Sequence, residues 1–212
     1  MKRIISINWC LLALASAALA VDYSVGPPND TDTIYFNSSA KLEFIQGTTQ
    51  HINGSFSFDA GNPAEGVKGI LRVDLRTLKT GIDKRDEHMR DNHLHTDKYP
   101  YAYFELLSAG ALPQQMAFDS VYVVKAKGNF YIHGNFRQIA PDLQIVRKKL
   151  PAGGEALIVS AEFDLNLDEY KIARPKALFL KLAETIEIKA VFTGSSQIMA
   201  PPLELPDWPK LD

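Results

Sequence analysis

Alternation of apolar and polar residues restricts the fold of this chain more than any other feature of its sequence. The longest run extends from Leu157 to Leu167, where every second residue is apolar, and shorter runs occupy 52–58, 71–75 and 186–192. A two-residue period is that of a β-strand with one buried face and one face in water. Further strands are predicted near 33–46, 101–109, 119–128 and 130–148.

These eight or nine strands predict an all-β protein whose antiparallel sheet closes on itself or folds into a sandwich. A barrel is favoured because closure removes exposed strand edges. Two segments interrupt the alternation, at 83–99 and 174–183, and predict one or two short helical insertions.

The first twenty residues have the pattern of a secretory signal peptide. Lys2 and Arg3 precede a short apolar core, and Ala18-Leu19-Ala20 is a small-x-small cleavage site. The apolar core is too short for a good membrane anchor, so we expect no integral membrane protein. The interpretation is a periplasmic or secreted protein that is cleaved after Ala20.

Composition narrows the class of protein further. The only cysteine, Cys10, lies inside the predicted signal peptide, so the mature chain would be stabilised without disulfides. The net charge is −2 with both signs mixed along the chain, which does not favour nucleic acid as a partner. We expect one domain over 21–194 and a Pro-rich tail over 195–212.

The segment Val73–Pro100 joins a predicted strand to a short charged helix. Asp83 is expected to cap the helix, and Asp86 and Glu87 place negative charge in its first turn. The helix is expected to end before His93. This connection is much longer than an ordinary hairpin loop.

The same segment resembles the YceI-like family, whose pattern is a strand, a Thr-Gly, an Arg-Asp-x-His-Leu-Arg helix and a Lys-Tyr-Pro-x-x-x-Phe strand. The matching residues are Thr80, Gly81, Arg85, Asp86, His88, Met89 in place of Leu, Arg90, Lys98, Tyr99, Pro100 and Phe104. A weaker similarity extends over 33–194. The resemblance implies an eight-stranded, lipocalin-like β-barrel that holds a polyisoprenoid or related lipid, and such a barrel is wide enough for one guest.

The leading hypothesis is therefore noncovalent binding, sequestration or transport of a long-chain lipid, either a polyisoprenoid or an isoprenoid quinone. The lipid would be a ligand, and no catalytic residue, metal or further cofactor is expected. We predict that the apolar faces of the strands bind the lipid, through Phe56, Phe58, Leu71, Val73, Leu75, Phe104, Val121, Val123, Leu157, Val159, Phe163, Leu165, Ile186, Ile188 and Phe192. Head-group contacts are expected from Arg85, His88 and Arg90, although such side chains could equally form surface ion pairs.

Three alternatives stay open on the sequence. His88, His93 and His95 could form a metal site and make the protein a metal-dependent enzyme, although their spacing is not helical. An outer-membrane β-barrel would show the same alternation with its faces reversed. The barrel could also be filled by its own side chains, and monomer and homodimer are both compatible with the sequence.

Overall fold

A computed structural model describes residues 21–26, 31–39, 44–58, 67–113, 115–174 and 183–198, together with 203 and 205. The predicted signal peptide and most of the predicted tail lie outside these residues. The strands are β1 Val21–Val25, β2 Thr33–Ser39, β3 Phe44–Thr49, β4 Ile52–Phe58, β5 Val67–Asp74, β6 Tyr101–Ala109, β7 Val121–Ile132, β8 Asn135–Ile139, β9 Asp142–Lys149, β10 Glu155–Asn166 and β11 Thr185–Ser195.

One helical crossover connects β5 to β6. It contains the α-helix α1 (Asp83–His88), which continues directly into a π-helical turn at Met89–Leu94. Short 3₁₀ turns occupy Leu75–Thr77 and Asp168–Tyr170. The second predicted insertion, 174–183, falls almost entirely outside the described residues. Among the residues described, no helix has the length and apolar character needed to cross a membrane.

Eight strands form a closed antiparallel barrel, which confirms the predicted fold. The ring runs β1-β4-β5-β6-β7-β9-β10-β11, and it closes where Ser24 and Val25 of β1 pair with Ser195 and Gly194 of β11. Closure satisfies the backbone groups that would otherwise lie at an open sheet edge.

The other three strands extend members of this ring. β1 and β2 pair with successive parts of β11, and β8 and β9 pair with successive parts of β7. β3 pairs with β2 and leads directly into β4 on the same side of the barrel. The barrel therefore has eight strand positions around its circumference, although eleven strands build it.

The first half of β7 shows where the predicted inner face is wrong. Val121 and Val123 are 61% and 70% exposed, whereas Tyr122 and Val124 pack against the core and Ala126 is buried. Even-numbered residues therefore face inward in this part of β7. Val121 and Val123 lie on the outer surface and do not line the interior.

Buried apolar residues form a cluster towards each end of the barrel. One cluster lies beside the helical crossover and includes Leu78, Leu94 and Ile172. The other lies at the opposite end, where Leu112 and Met116 cover the strands. An internal cavity extends between the two clusters.

Candidate functional site

The barrel encloses a cavity of about 520 Å³ that is lined almost entirely by apolar side chains. Its volume lies within the range of about 300–1,000 Å³ that is usual for ligand sites. The alternative in which side chains fill the whole interior therefore does not describe this barrel.

Most of the residues predicted to bind lipid belong to the cavity wall. The twelve that line it are Phe56, Leu71, Val73, Leu75, Phe104, Leu157, Val159, Phe163, Leu165, Ile186, Ile188 and Phe192. Phe58 ends β4, and its side chain lies outside the described part of the chain. Val121 and Val123 lie on the outer surface, and β7 contributes Phe130 and Ile132 to the wall instead.

Aromatic rings shape the wall, and small residues leave space between them. Phe130 and Phe163 meet edge to face with ring centroids 5.1 Å apart. Ala161 pairs with Ala190 across β10 and β11, and both line the cavity. The methyl groups of this pair leave the interior open at that level.

Polar side chains line the cavity mainly at the end covered by Thr80–Leu94, which we call the mouth. Lys84, Arg85, His88 and His93 all contribute to the wall there, together with Thr80. Of the three residues predicted to contact a head group, Arg85 and His88 line the cavity and Arg90 does not. Lys84 is a wall residue that the sequence pattern did not indicate.

A hydrogen-bonded group holds α1 over the mouth. Thr80 donates its backbone N–H to the Asp86 carboxylate over 2.7 Å, and its hydroxyl donates to the same carboxylate. Arg85 donates to the Thr80 hydroxyl oxygen over 2.7 Å and to the Thr80 carbonyl over 3.1 Å. Asp86 is only 4% exposed, so its partners offset the cost of burying a carboxylate.

The predicted N-cap of α1 is wrong. Ile82, which has no side-chain capping bond, occupies the N-cap position, and Asp83 is the first helical residue. The helix does not end before His93, because the π-helical turn continues through Leu94. His95 then takes a left-handed backbone conformation that terminates it.

A second group of side chains fastens the end of the crossover to the barrel. The His133 Nδ1 donates to the Tyr170 carbonyl over 3.0 Å, so Nε2 of a neutral His133 accepts a hydrogen bond from His95 Nδ1 at 2.8 Å. Tyr99 packs against the His133 ring, and a Cβ on Gly134 would collide with the Tyr99 ring. Burial lowers the pKa of His133.

These contacts explain several residues of the family pattern in structural terms. Thr80, Arg85 and Asp86 hold the start of the crossover, and Tyr99 holds its end against the His133 ring. His133 was not identified from the sequence, because a single histidine in a hairpin turn gives no sequence signal of its partner.

The three histidines suggested as a metal site do not converge. His88 and His93 line the cavity, and the His93 ring nitrogen Nδ1 lies 2.6 Å from the Ala173 carbonyl. His95 instead contacts His133 on the other side of the crossover. Across the described ranges there is no group of three or more His, Cys, Asp or Glu side chains that could hold a metal ion.

The end of the barrel opposite the mouth carries a polar group of its own. Tyr23 donates to the Glu155 carboxylate, and Arg147 donates to the same carboxylate and, over 2.9 Å, to the Met116 carbonyl. Burial and the hydrogen bond to Glu155 raise the pKa of the Tyr23 hydroxyl, which therefore stays protonated and donates. This group ties β1, β9 and β10 to the loop that covers this end.

Comparison with known proteins identifies the family of this barrel. The model of the YceI-like domain matches residues 28–193. The chain belongs to the YceI-like family. The match begins after β1 and ends inside β11, so it covers nearly the whole barrel.

Individual relatives agree with this assignment. A UPF0312 protein of Pseudomonas syringae pv. tomato is 28% identical over 86% of this chain and 91% of its own length. A UPF0312 protein of Photorhabdus laumondii is 36% identical, but over only 44% of this chain and 50% of its own length. Among solved structures, a polyisoprenoid binding domain from Saccharophagus degradans, implicated in plant cell wall breakdown, superposes with a TM-score of 0.66. That match has 19% sequence identity and covers 82% of this chain and 98% of the other, so it supports the fold.

Proposed function

We propose that this YceI-like protein is a carrier that binds the apolar tail of a long-chain lipid, such as a polyisoprenoid or an isoprenoid quinone, inside its barrel. The observation that carries the proposal is the apolar cavity of about 520 Å³ inside the barrel. The family assignment supports it, as does the polyisoprenoid binding domain of Saccharophagus degradans, which shares the fold.

Water is a poor occupant for such a cavity. A cavity of this size has room for many water molecules. Each buried water needs two to four polar partners, and along most of its length the wall offers apolar side chains only. An apolar chain of matching shape fits the same space without leaving hydrogen bonds unmade.

The expected affinity is sufficient for a carrier. A tail of about thirty carbon atoms, at roughly 0.3 kcal/mol each, gives on the order of 9 kcal/mol, which corresponds to a submicromolar dissociation constant. Burial of the tail supplies this energy, so binding needs no covalent bond.

The outer surface favours this carrier over the outer-membrane alternative. Charged residues face outward on the strands, where Lys189 lies 2.5 Å from Glu162 and Lys125 lies 2.8 Å from Asp142. A barrel that spans a lipid bilayer needs an apolar band on this surface. The apolar face of this barrel points inward instead.

The proposed location is the periplasm or the extracellular space, and it depends on the predicted cleavage of residues 1–20. The carrier needs no catalytic group, and the enzyme alternative loses its motivation because His95 lies apart from His88 and His93. Whether the carrier works as a monomer or as a homodimer does not affect the proposal.

Native mass spectrometry of the protein after gentle extraction tests the proposal. We expect a copurified long-chain apolar molecule, and its mass would identify the lipid. After delipidation, the protein should take up an isoprenoid quinone. An empty protein that also fails to bind isoprenoid quinones would defeat the carrier hypothesis.

A further inference from the structure

Four apolar side chains form a stripe on the outer surface of the barrel. Val121 and Val123 of β7 are 61% and 70% exposed. Val146 of β9 pairs with Val121, and Ile158 of β10 pairs with Val146, so the stripe crosses three neighbouring strands. Val146 and Ile158 take outward positions, because the residues that precede them in sequence line the cavity. Adjacent apolar residues on an otherwise charged surface are typical of an interaction surface.

Charged pairs flank the stripe on both sides along the strands. On the side of the mouth, Lys125 Nζ of β7 lies 2.8 Å from Asp142 Oδ1 of β9. On the opposite side, Lys148 Nζ of β9 lies 2.5 Å from Oδ1 of Asp119, which precedes β7. The lysine therefore belongs to β7 in one pair and to β9 in the other. The two pairs have opposite polarity across the stripe, and all four side chains are exposed.

A second copy of the chain complements this surface when a two-fold axis crosses the strands along the stripe. Such an axis lays each strand on the same strand of the partner with its direction reversed. The stripe then meets the partner's stripe, and the charged pair on one side meets the pair on the other side. Lys125 faces the partner's Asp119, and Asp142 faces the partner's Lys148. Opposite charges therefore meet on both sides of the stripe, which favours this pairing over others.

A two-fold axis along the strands is a poorer solution. Centred on β9, it would bring Asp142 against the partner's Asp142, and like charges that face each other oppose association. Centred between β7 and β9, it would match the charges, but β10 would then lie opposite β6 of the partner. Ile158 would fall outside the apolar contact. The axis across the strands keeps the whole stripe in the contact and matches the charges as well.

The size of the surface determines how strong the contact can be. With the adjoining part of β11, the stripe and its charged flanks cover roughly 27 Å along the strands and 19 Å across them. Two copies would bury about 1,000 Å² in total, which is the lower limit for a specific interface. The contact therefore belongs to the weak and reversible class.

We propose that the stripe joins two copies of this chain in a reversible two-fold dimer, with the charged pairs setting its orientation. An interface of this kind uses the same surface on both copies and closes after two of them. The stripe lies on the side of the barrel, so both mouths stay accessible in the dimer. The inference therefore does not depend on the carrier function.

Sedimentation velocity of the purified protein tests the dimer. Over about a hundredfold range of concentration, up to roughly 0.5 mM, we expect a monomer at the lowest concentration and a growing fraction of dimer above it. Val123→Lys places a charge against the partner's stripe, so this variant should stay monomeric throughout the range. Lipid titration and thermal unfolding are measured at the lowest concentration, where they report on the single barrel and check that each variant is folded.

Exchange of charges tests the orientation of the two copies. Lys148→Glu turns the contact with the partner's Asp142 into repulsion, and this contact occurs twice in the dimer. The dissociation constant should rise at least about fivefold. Adding Asp142→Lys restores opposite charges across the interface and should return the dissociation constant to within about twofold of the parent, since residues in contact are coupled.

The matched control is Lys68→Glu, the same charge reversal at an exposed position of β5, on the far side of the barrel. It should leave the dissociation constant unchanged. A role of Lys148 confined to its own copy would not be rescued by Asp142→Lys, because that substitution places a second lysine beside Lys125.

Three outcomes would overturn the proposal. A protein that stays monomeric at every concentration would exclude the dimer, and if it dimerised only after deletion of 199–212, the tail would be the occupant of the stripe. A dimer that Val123→Lys leaves intact would form through another surface. A double variant that associates as weakly as Lys148→Glu alone would exclude the axis across the strands.

Discussion

Filling part of the cavity should stabilise the empty protein against unfolding and lower its affinity for a lipid. Ala161 lines the cavity beside its cross-strand partner Ala190. Ala161→Phe adds six carbon atoms at this open level. A guest that loses contacts for about six atoms, at roughly 0.3 kcal/mol each, would bind about 1.8 kcal/mol more weakly, or roughly twentyfold. The buried ring should stabilise the empty protein by about 1 kcal/mol, which raises its melting temperature by about 2–4 °C.

Isothermal titration with one isoprenoid lipid and thermal unfolding of the delipidated protein measure the two effects. The matched control, Val123→Phe, enlarges a side chain on the outer surface and should change neither quantity. An interior already filled by side chains would respond differently, because overpacking costs about 1–3 kcal/mol. Destabilisation by Ala161→Phe without any loss of affinity would therefore refute the cavity as the binding site.

Three further substitutions test the wall, the mouth and its pH dependence. Phe163→Glu places an unpaired charge in the apolar wall, so the purified variant should lose its bound tail in native mass spectrometry. Thr80→Val removes the hydroxyl that joins Arg85 to Asp86, so urea unfolding should show a loss of about 1–3 kcal/mol. Burial keeps the pKa of His133 below its ordinary value, so the unfolded chain binds more protons, and the free energy of unfolding should fall as pH drops through about 6.5. In urea titrations at several pH values, His133→Asn should reduce this dependence, because Asn does not titrate. Asn is chosen because it also accepts the left-handed backbone of this position.

A control for these substitutions lies at an exposed position. Thr185→Val on β11 should leave the unfolding free energy nearly unchanged. A Phe163→Glu variant that keeps its lipid would show that the wall is assigned incorrectly. A Thr80→Val variant as stable as the parent would mean that the buried carboxylate finds other partners.

The alternation of the strands was sufficient to predict the barrel and most of its inner face. It failed where both faces are apolar, at Val121–Val124, because a period of two cannot choose between equivalent registers. The correct choice was still encoded downstream, where Lys125 and Lys127 must face water and Ala126 lies between them. Reading the register backward from these lysines would have placed Val121 and Val123 outside.

The mouth was harder to predict because its geometry depends on a helix type that local sequence does not specify. The spacing of His88 and His93 indicates opposite sides of an α-helix, and only the π-helical turn brings both to the cavity. Likewise, the contact between His95 and His133 joins residues 38 positions apart. Such pairing arises from the closed barrel and has no sequence periodicity.

The crossover begins and ends at neighbouring positions of the barrel, since Asp74 of β5 pairs with Tyr101 of β6. A loop whose ends are already adjacent can change in length at little entropic cost. Changes in this one segment can therefore alter the mouth while the strands that form the cavity stay the same. The paired ends of the crossover also offer a grafting point for protein engineering, where a foreign segment could give the barrel a new ligand preference.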